Sequence, residues 1–148
     1  MIETYATPDE AARGDIPPRF ASVASVVHSP DGRHAAVLLL TNEAPAVEPY
    51  LVVVSRTASD RWTQGAGAPV PGFGWMRADG RPDFGVWHLV REAPPGTTGV
   101  VLATSDDVTT LSVTCGYVFW ARWGDWQDDF VKPHLIAWAS DPDQIATP

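Results

Sequence analysis

The sequence predicts a mainly β protein: an antiparallel β-sandwich with one short N-terminal helix. Candidate strands recur at intervals of roughly 8–12 residues with turn residues between them, a pattern typical of sandwiches and barrels. The chain of 148 residues contains 14 prolines and 12 glycines, and this usage favours many turns and short strands over long helices. A chain of this length corresponds to one ordinary domain.

The predicted helix begins at the N-terminal sequence Thr7-Pro-Asp-Glu10. Thr7 is a suitable cap, Pro8 suits the first helical position, and Glu10 stands three residues after the cap, where it can reach back to the amide of Thr7. Gly14 is expected to end the helix. Because the helix has barely two turns, it must pack against other elements to persist.

The rest of the first half is predicted to be a meander of about four strands, at residues 19–28, 34–41, 50–56 and 61–64. The sequence Ser-Pro-Asp-Gly at residues 29–32 predicts a tight turn between the first two. Residues 65–82 then hold five glycines and three prolines. We expect a loop there, either a linker between half-domains 1–64 and 83–148 or a flap over one edge. One compact unit, 1–148, is favoured because each half alone would struggle to bury a sufficient core.

The second half is predicted to contain strands at residues 84–92, 99–104, 108–114, 117–123 and 134–139. These short strands resemble a small immunoglobulin-like pair of sheets, without the cysteine–tryptophan–cysteine signature of true immunoglobulin domains. The resemblance concerns architecture and implies no activity. Cys115-Gly116 is expected to form a hairpin turn, although a cysteine on or beside a strand is commonly a small core residue.

The formal net charge of −8 argues against nucleic acids and anionic membranes as partners, because both need cations to bind them. An acidic surface keeps a protein in solution and attracts basic partners. The single cysteine excludes an intramolecular disulfide and favours a cytoplasmic location. The sequence shows neither a secretory signal pattern nor an apolar run of about 18 residues.

No catalytic residue, metal or cofactor is expected. The glycine-rich segment lacks the Gly-Lys-Ser/Thr of a phosphate-binding loop, and there is no Gly-x-Ser-x-Gly elbow for a nucleophile. The four histidines lack metal-ligand spacing. A metal site built from Asp125, Asp128, Asp129 and His134 would lack the pattern of a calcium loop.

The segment from Trp123 to Phe130 combines three aromatic rings with three carboxylates at the end of a predicted strand. Such a segment suits amphipathic contact, because cations stack on tryptophan faces and pair with carboxylates. The opposite interpretation is that Trp123 and Trp126 fold back over the end of the sandwich. The candidate binding residues are Trp75, Trp123, Asp125, Trp126, Asp128, Asp129, Phe130 and His134.

The best-supported functional hypothesis is a non-catalytic, cytoplasmic binding or accessory protein that engages a basic protein surface or a small cationic or polar ligand. One alternative is a small-molecule or carbohydrate-binding module in which Trp75, carried on the long loop, acts as a lid. Another is a small enzyme with Asp128 or Asp129 and His134 as an acid–base pair. The sequence leaves the oligomeric state open.

Overall fold

The computed structural model describes residues 3–14, 16, 21–43, 46–70, 72–104, 106–127 and 132–140, with the backbone alone at 41–43, 46 and 47. Within these ranges the protein has one helix and ten strands, arranged in three antiparallel sheets. The prediction of a mainly antiparallel β protein with a short N-terminal helix is therefore confirmed. The strand number is one more than expected, and three sheets replace the two predicted.

The helix α1 spans Pro8–Arg13. The strands, in chain order, are β1 Ala21–His28, β2 His34–Glu43, β3 Ala46–Arg56, β4 Trp62–Pro69, β5 Gly72–Arg77, β6 Phe84–Glu92, β7 Gly99–Ala103, β8 Val108–Ser112, β9 Tyr117–Asp125 and β10 His134–Ala139. The front sheet has the order β1-β2-β3-β4, the middle sheet β5-β6-β9 and the back sheet β10-β7-β8.

Helix α1 starts and stops where the sequence predicts. The Thr7 side-chain oxygen accepts a hydrogen bond of 3.2 Å from the Glu10 amide, and Gly14 ends the helix at a positive φ of 54°. Ala11 and Ala12 are buried against the front sheet, which supplies the packing that so short a helix needs. In the described part of the chain, no helix is both long and apolar enough to cross a membrane.

The three sheets stack front, middle and back, because three apolar clusters connect successive layers. The first cluster joins α1 to one face of the front sheet. The second joins the other face of the front sheet to the middle sheet, and the third joins the middle sheet to the back sheet. Strand β6 shows the alternation behind this stacking: Val86 and Val90 point to the front sheet, and Leu89 points to the back sheet.

The prediction of a long loop at residues 65–82 is wrong, since this segment contains the end of β4 and all of β5. Because glycine and proline are depleted in strands, the composition of residues 65–82 predicted a loop where these two strands lie. Gly67 has a packing reason, because a Cβ there would lie 2.8 Å from Cε1 of Tyr50 on the adjacent strand. Bare backbone at this position leaves room for the tyrosine ring.

The hairpin turn at Cys115-Gly116 is confirmed. Thr114 and Tyr117 form an antiparallel bridge, and the two residues between them have φ values of 51° and 84°, as a two-residue turn between twisted strands requires. Cys115 is exposed, so its interpretation as a core residue is wrong.

Candidate functional site

Trp123 is half-buried and packs against the apolar cluster between the front and middle sheets. Its Nε1 donates a hydrogen bond of 3.2 Å to the carbonyl of Val27 on the front sheet. Its ring stacks on Phe84 of the middle sheet, with centroids 5.6 Å apart and planes inclined by 17°. The indole thus links two sheets, as the fold-back interpretation of this residue describes.

Trp75 is a strand residue and not part of a mobile lid. It lies on β5 and pairs with Trp87 of β6 in a continuous antiparallel register. Its Nε1 donates a hydrogen bond of 3.4 Å to the carbonyl of Gly124, and Nε1 of Trp87 donates one of 3.2 Å to the carbonyl of Asp125. The two indoles therefore hold the end of β9, and the prediction of Trp75 as a lid on a flexible loop is wrong.

Trp126 differs from these rings because 49% of its surface is exposed. Its Nε1 donates a hydrogen bond of 3.3 Å to Oδ1 of Asp83, and its backbone amide donates one of 3.2 Å to the Asp83 carbonyl. Asp83 lies just before β6, so the ring is attached to the connection between β5 and β6. The indole is accessible and held in place at the same time.

Asp125 and Gln127 flank this ring. Oδ1 of Asp125 accepts a hydrogen bond of 2.8 Å from the Gln127 amide, which orders the turn that follows β9. We call the group formed by Asp83, Asp125, Trp126 and Gln127 the Trp126 surface. It combines an exposed aromatic ring, the Asp83 carboxylate bonded to that ring, and the half-buried Asp125 in the adjacent turn.

The remaining candidates of this segment, Asp128, Asp129 and Phe130, lie outside the described residues, so the acid–base and metal hypotheses that use them stay predictions. His134 is exposed at the start of β10 and pairs with Ala103 in the back sheet. The described contacts of the Trp126 surface do not include His134. Among the described residues, no group of three or more histidine, cysteine, aspartate or glutamate side chains is placed to hold a metal ion.

Sequence reasoning missed a polar cluster behind Trp123. His34 is buried, its Nδ1 lies 3.0 Å from Oγ of Ser55, and its ring centroid is 6.1 Å from that of Trp123. Only the pairing of β2 with β3 brings residues 34 and 55 together, so no local spacing in the sequence could reveal this contact. Burial lowers the pKa of His34, which keeps the imidazole neutral.

Asp31 and Arg81 complete the polar cluster. The Ser29 hydroxyl donates a hydrogen bond of 2.6 Å to Oδ1 of Asp31 and, with the Arg33 amide, lowers the pKa of this carboxyl. Arg81 lies 3.8 Å from Asp31 and places its guanidinium 4.6 Å from the centroid of the Phe84 ring. The ring centroids of Phe84 and Trp123 lie 6.2 and 6.1 Å from that of His34, which is 6% exposed, so the imidazole packs in the interior while Asp31 and Arg81 lie at the surface.

Comparison of the chain with protein-family models, curated proteins and solved structures finds no match.

Proposed function

We propose that this protein binds a basic partner protein through the Trp126 surface. The observation that carries the proposal is the position of Trp126, whose half-exposed indole is attached to the Asp83 carboxylate by a hydrogen bond. A ring held in this way loses little conformational entropy when a partner binds to it. The partner class is a protein surface that displays arginine or lysine.

The chemistry of recognition follows from the two faces of the indole and the adjacent acids. A guanidinium can stack on the ring face of Trp126, since the ring quadrupole attracts cations. Asp83 and Asp125 supply carboxylate oxygens for charge-assisted hydrogen bonds with the same or a neighbouring cation. Trp75, Trp87 and Trp123 support the site from behind, because each uses its indole N–H on a backbone carbonyl.

The net charge of −8 adds a long-range attraction that accelerates encounter with a basic partner. We infer a non-catalytic role and a cytoplasmic location. We also infer an immunoglobulin-like arrangement for the middle and back sheets, which pack against each other. A small organic cation is the alternative occupant of the same surface, and the experiment separates it from a protein partner.

The test measures binding of a nona-arginine peptide by isothermal titration calorimetry at low and high NaCl. Trp126→Ala should weaken binding by about 1 kcal/mol, roughly fivefold in Kd, as expected for one exposed cation–π contact. Asp83→Asn and Asp125→Asn should reduce both the affinity and its dependence on salt. Glu92→Gln, which removes one exposed carboxylate elsewhere on β6, is the matched control and should cause a smaller change.

Equal affinity of the wild type, the Trp126 variant and the two aspartate variants would refute the proposal. If free arginine binds as tightly as the peptide, the occupant is a small cation and the assignment of a protein partner is wrong.

A further inference from the structure

The connection between β5 and β6 carries the residue that anchors Trp126. It comprises residues 78–83, of which 79–83 are all exposed. Asp83, at its end, accepts two hydrogen bonds from Trp126, one at its backbone carbonyl and one at its carboxylate. The position of the indole therefore depends on how firmly an exposed connection is held.

Hydrogen bonds within the connection hold its backbone only in part. The Ala78 amide donates a bond of 2.8 Å to the Phe84 carbonyl, and the Arg81 amide donates one of 3.1 Å to the Ala78 carbonyl. The Phe84 amide lies 3.4 Å from the Arg81 carbonyl, which is longer than is usual for a bond between these groups. The turn before Asp83 is therefore stabilised further by any contact that ties it to another part of the molecule.

The Arg81 side chain makes such a contact with the front sheet. Its Nη1 lies 3.8 Å from Oδ2 of Asp31, in the turn between β1 and β2. Oδ1 of the same carboxylate accepts hydrogen bonds of 2.6 Å from the Ser29 hydroxyl and 3.0 Å from the Arg33 amide. The turn thus fixes the direction of the carboxylate and leaves its second oxygen for Arg81.

The guanidinium of Arg81 also packs on Phe84, the residue that follows Asp83. Its Cζ lies 4.6 Å from the centroid of the Phe84 ring, within the range of a cation–π contact. The Phe84 ring in turn stacks on Trp123 and packs against the apolar cluster between the front and middle sheets. Arg81 therefore contacts a ring that is itself held in place.

The effect of these contacts is local. An ion pair between two partly exposed side chains contributes little to the stability of the whole protein. Arg81, however, joins the turn at Asp31 to the ring of Phe84, and Asp83 lies between Arg81 and Phe84 in the chain. Fixing the residues on both sides of Asp83 restricts the conformations that this residue and its bonded indole can adopt.

We propose that Arg81 is a positioning residue of the Trp126 surface. By fixing the connection between β5 and β6, Arg81 keeps the Asp83 carboxylate in place to bind the indole, so that Trp126 is ordered before a partner arrives. This inference rests on the proposed binding function of that surface. It opposes the simplest electrostatic expectation, in which a cation beside an acidic site only repels a basic partner.

The two interpretations predict opposite effects of Arg81→Gln on binding of the nona-arginine peptide. Removal of a repelling charge would strengthen binding. Loss of a positioning residue should instead weaken it about threefold, because the partner must then immobilise the indole itself. Arg77→Gln is the matched control, since Arg77 is exposed at the end of β5 and its replacement changes the net charge equally. It should lower the Kd by less than about twofold.

Order at Trp126 can be measured without a partner. In ¹⁵N-labelled protein, the signal of the Trp126 indole N–H is identified by its loss in Trp126→Ala. Its heteronuclear NOE, which reports fast motion, should be high in the wild type and in Arg77→Gln and lower in Arg81→Gln. In the Trp126→Ala background, Arg81→Gln should weaken peptide binding much less, because there is no ring left to position.

Unchanged or tighter peptide binding by Arg81→Gln would overturn the inference. An indole NOE equal to that of the wild type would do the same, as would a loss of affinity that persists undiminished without Trp126. If the wild type does not bind the peptide at all, the proposed function is refuted, and the NOE alone decides whether Arg81 orders Trp126.

Discussion

The indole ring of Trp75 lies directly against the backbone of Gly85, so closely that a Cβ at Gly85 would stand 2.7 Å from Cζ2 of the indole. The same Cβ would collide with the carbonyl of Met76, a backbone atom held in the pairing of β5 with β6. Gly85→Ala should therefore lower the free energy of unfolding by about 2–3 kcal/mol, the upper range for an overpacked site. Urea unfolding followed by tryptophan fluorescence measures this change.

Gly67→Ala is the matched comparison, because its added methyl meets the ring of Tyr50 and not a backbone atom. The tyrosine is only half-buried and can rotate, so the loss of stability should be clearly smaller than at Gly85. Equal losses at the two sites would show that the approach of Trp75 and Met76 to Gly85 is not what constrains this position.

Protein stability should fall as the pH falls below about 6.5. Burial lowers the pKa of His88 below its usual value, and its Nδ1 has no hydrogen-bond partner among the described residues. Below pH 6.5 the imidazole of His88 binds a proton more readily in the unfolded chain than in the folded protein. The free energy of unfolding therefore decreases as the pH falls, by at most about 1.4 kcal/mol per pH unit for one group. His34, whose pKa burial also lowers, contributes in the same direction.

His88→Leu separates the two histidines. It removes a buried polar group without a partner and replaces it with an apolar side chain, so it should stabilise the protein more at pH 5.5 than at pH 7.5. Guanidinium unfolding at both pH values measures the difference. A variant with the same pH dependence as the wild type would show that His88 is not the group responsible.

Cys115→Asn should stabilise the hairpin between β8 and β9. Cys115 has a positive φ of 51°, a conformation that costs an ordinary residue about 1–2 kcal/mol and that asparagine tolerates better. The expected gain in unfolding free energy, measured under reducing conditions, is on the order of 0.5–1 kcal/mol. Cys115→Ser removes the thiol without easing the backbone and should give no such gain; an equal gain from serine would contradict the explanation.

Two tryptophans three residues apart should respond very differently to truncation. Trp123→Ala removes a ring that joins the front and middle sheets and should cost about 3–5 kcal/mol of stability. Trp126→Ala removes a half-exposed ring and should cost under about 1 kcal/mol. Thermal unfolding of both variants tests this; a large loss at Trp126 would place that ring in the interior.

Much of the strand pattern was predictable because it rests on local chemistry. Capping by Thr7 and the turn at residues 29–32 act over a few residues, and the structure reproduces both. The pairing of strands into three sheets was not predictable, since it depends on contacts between distant residues. Strand β5 was hidden for another reason: Gly72 and Gly74 lower its strand propensity, and its pairing with β6 stabilises it nevertheless.

The candidate site was only partly predictable from composition. The sequence placed aromatic rings and acids near the end of β9, but it could not distinguish an indole that faces the front sheet from one that faces solvent. The alternation of β9 and the hydrogen bond to the Val27 carbonyl direct the indole of Trp123 toward the front sheet. The hydrogen bond to the Asp83 carboxylate holds the indole of Trp126 at the surface. Both partners are distant in sequence.

The middle sheet is assembled from two separated parts of the chain, and this has a consequence for synthesis on the ribosome. The front sheet needs only consecutive hairpins and can form once Pro69 has emerged. Its inner surface, with Leu38, Leu51 and Val53, stays exposed until β5 and β6 have been translated. It is fully covered only after β9 has been translated as well. Nascent chains halted before Tyr117 should therefore aggregate or recruit chaperones, whereas full-length chains, which also contain β10, should not.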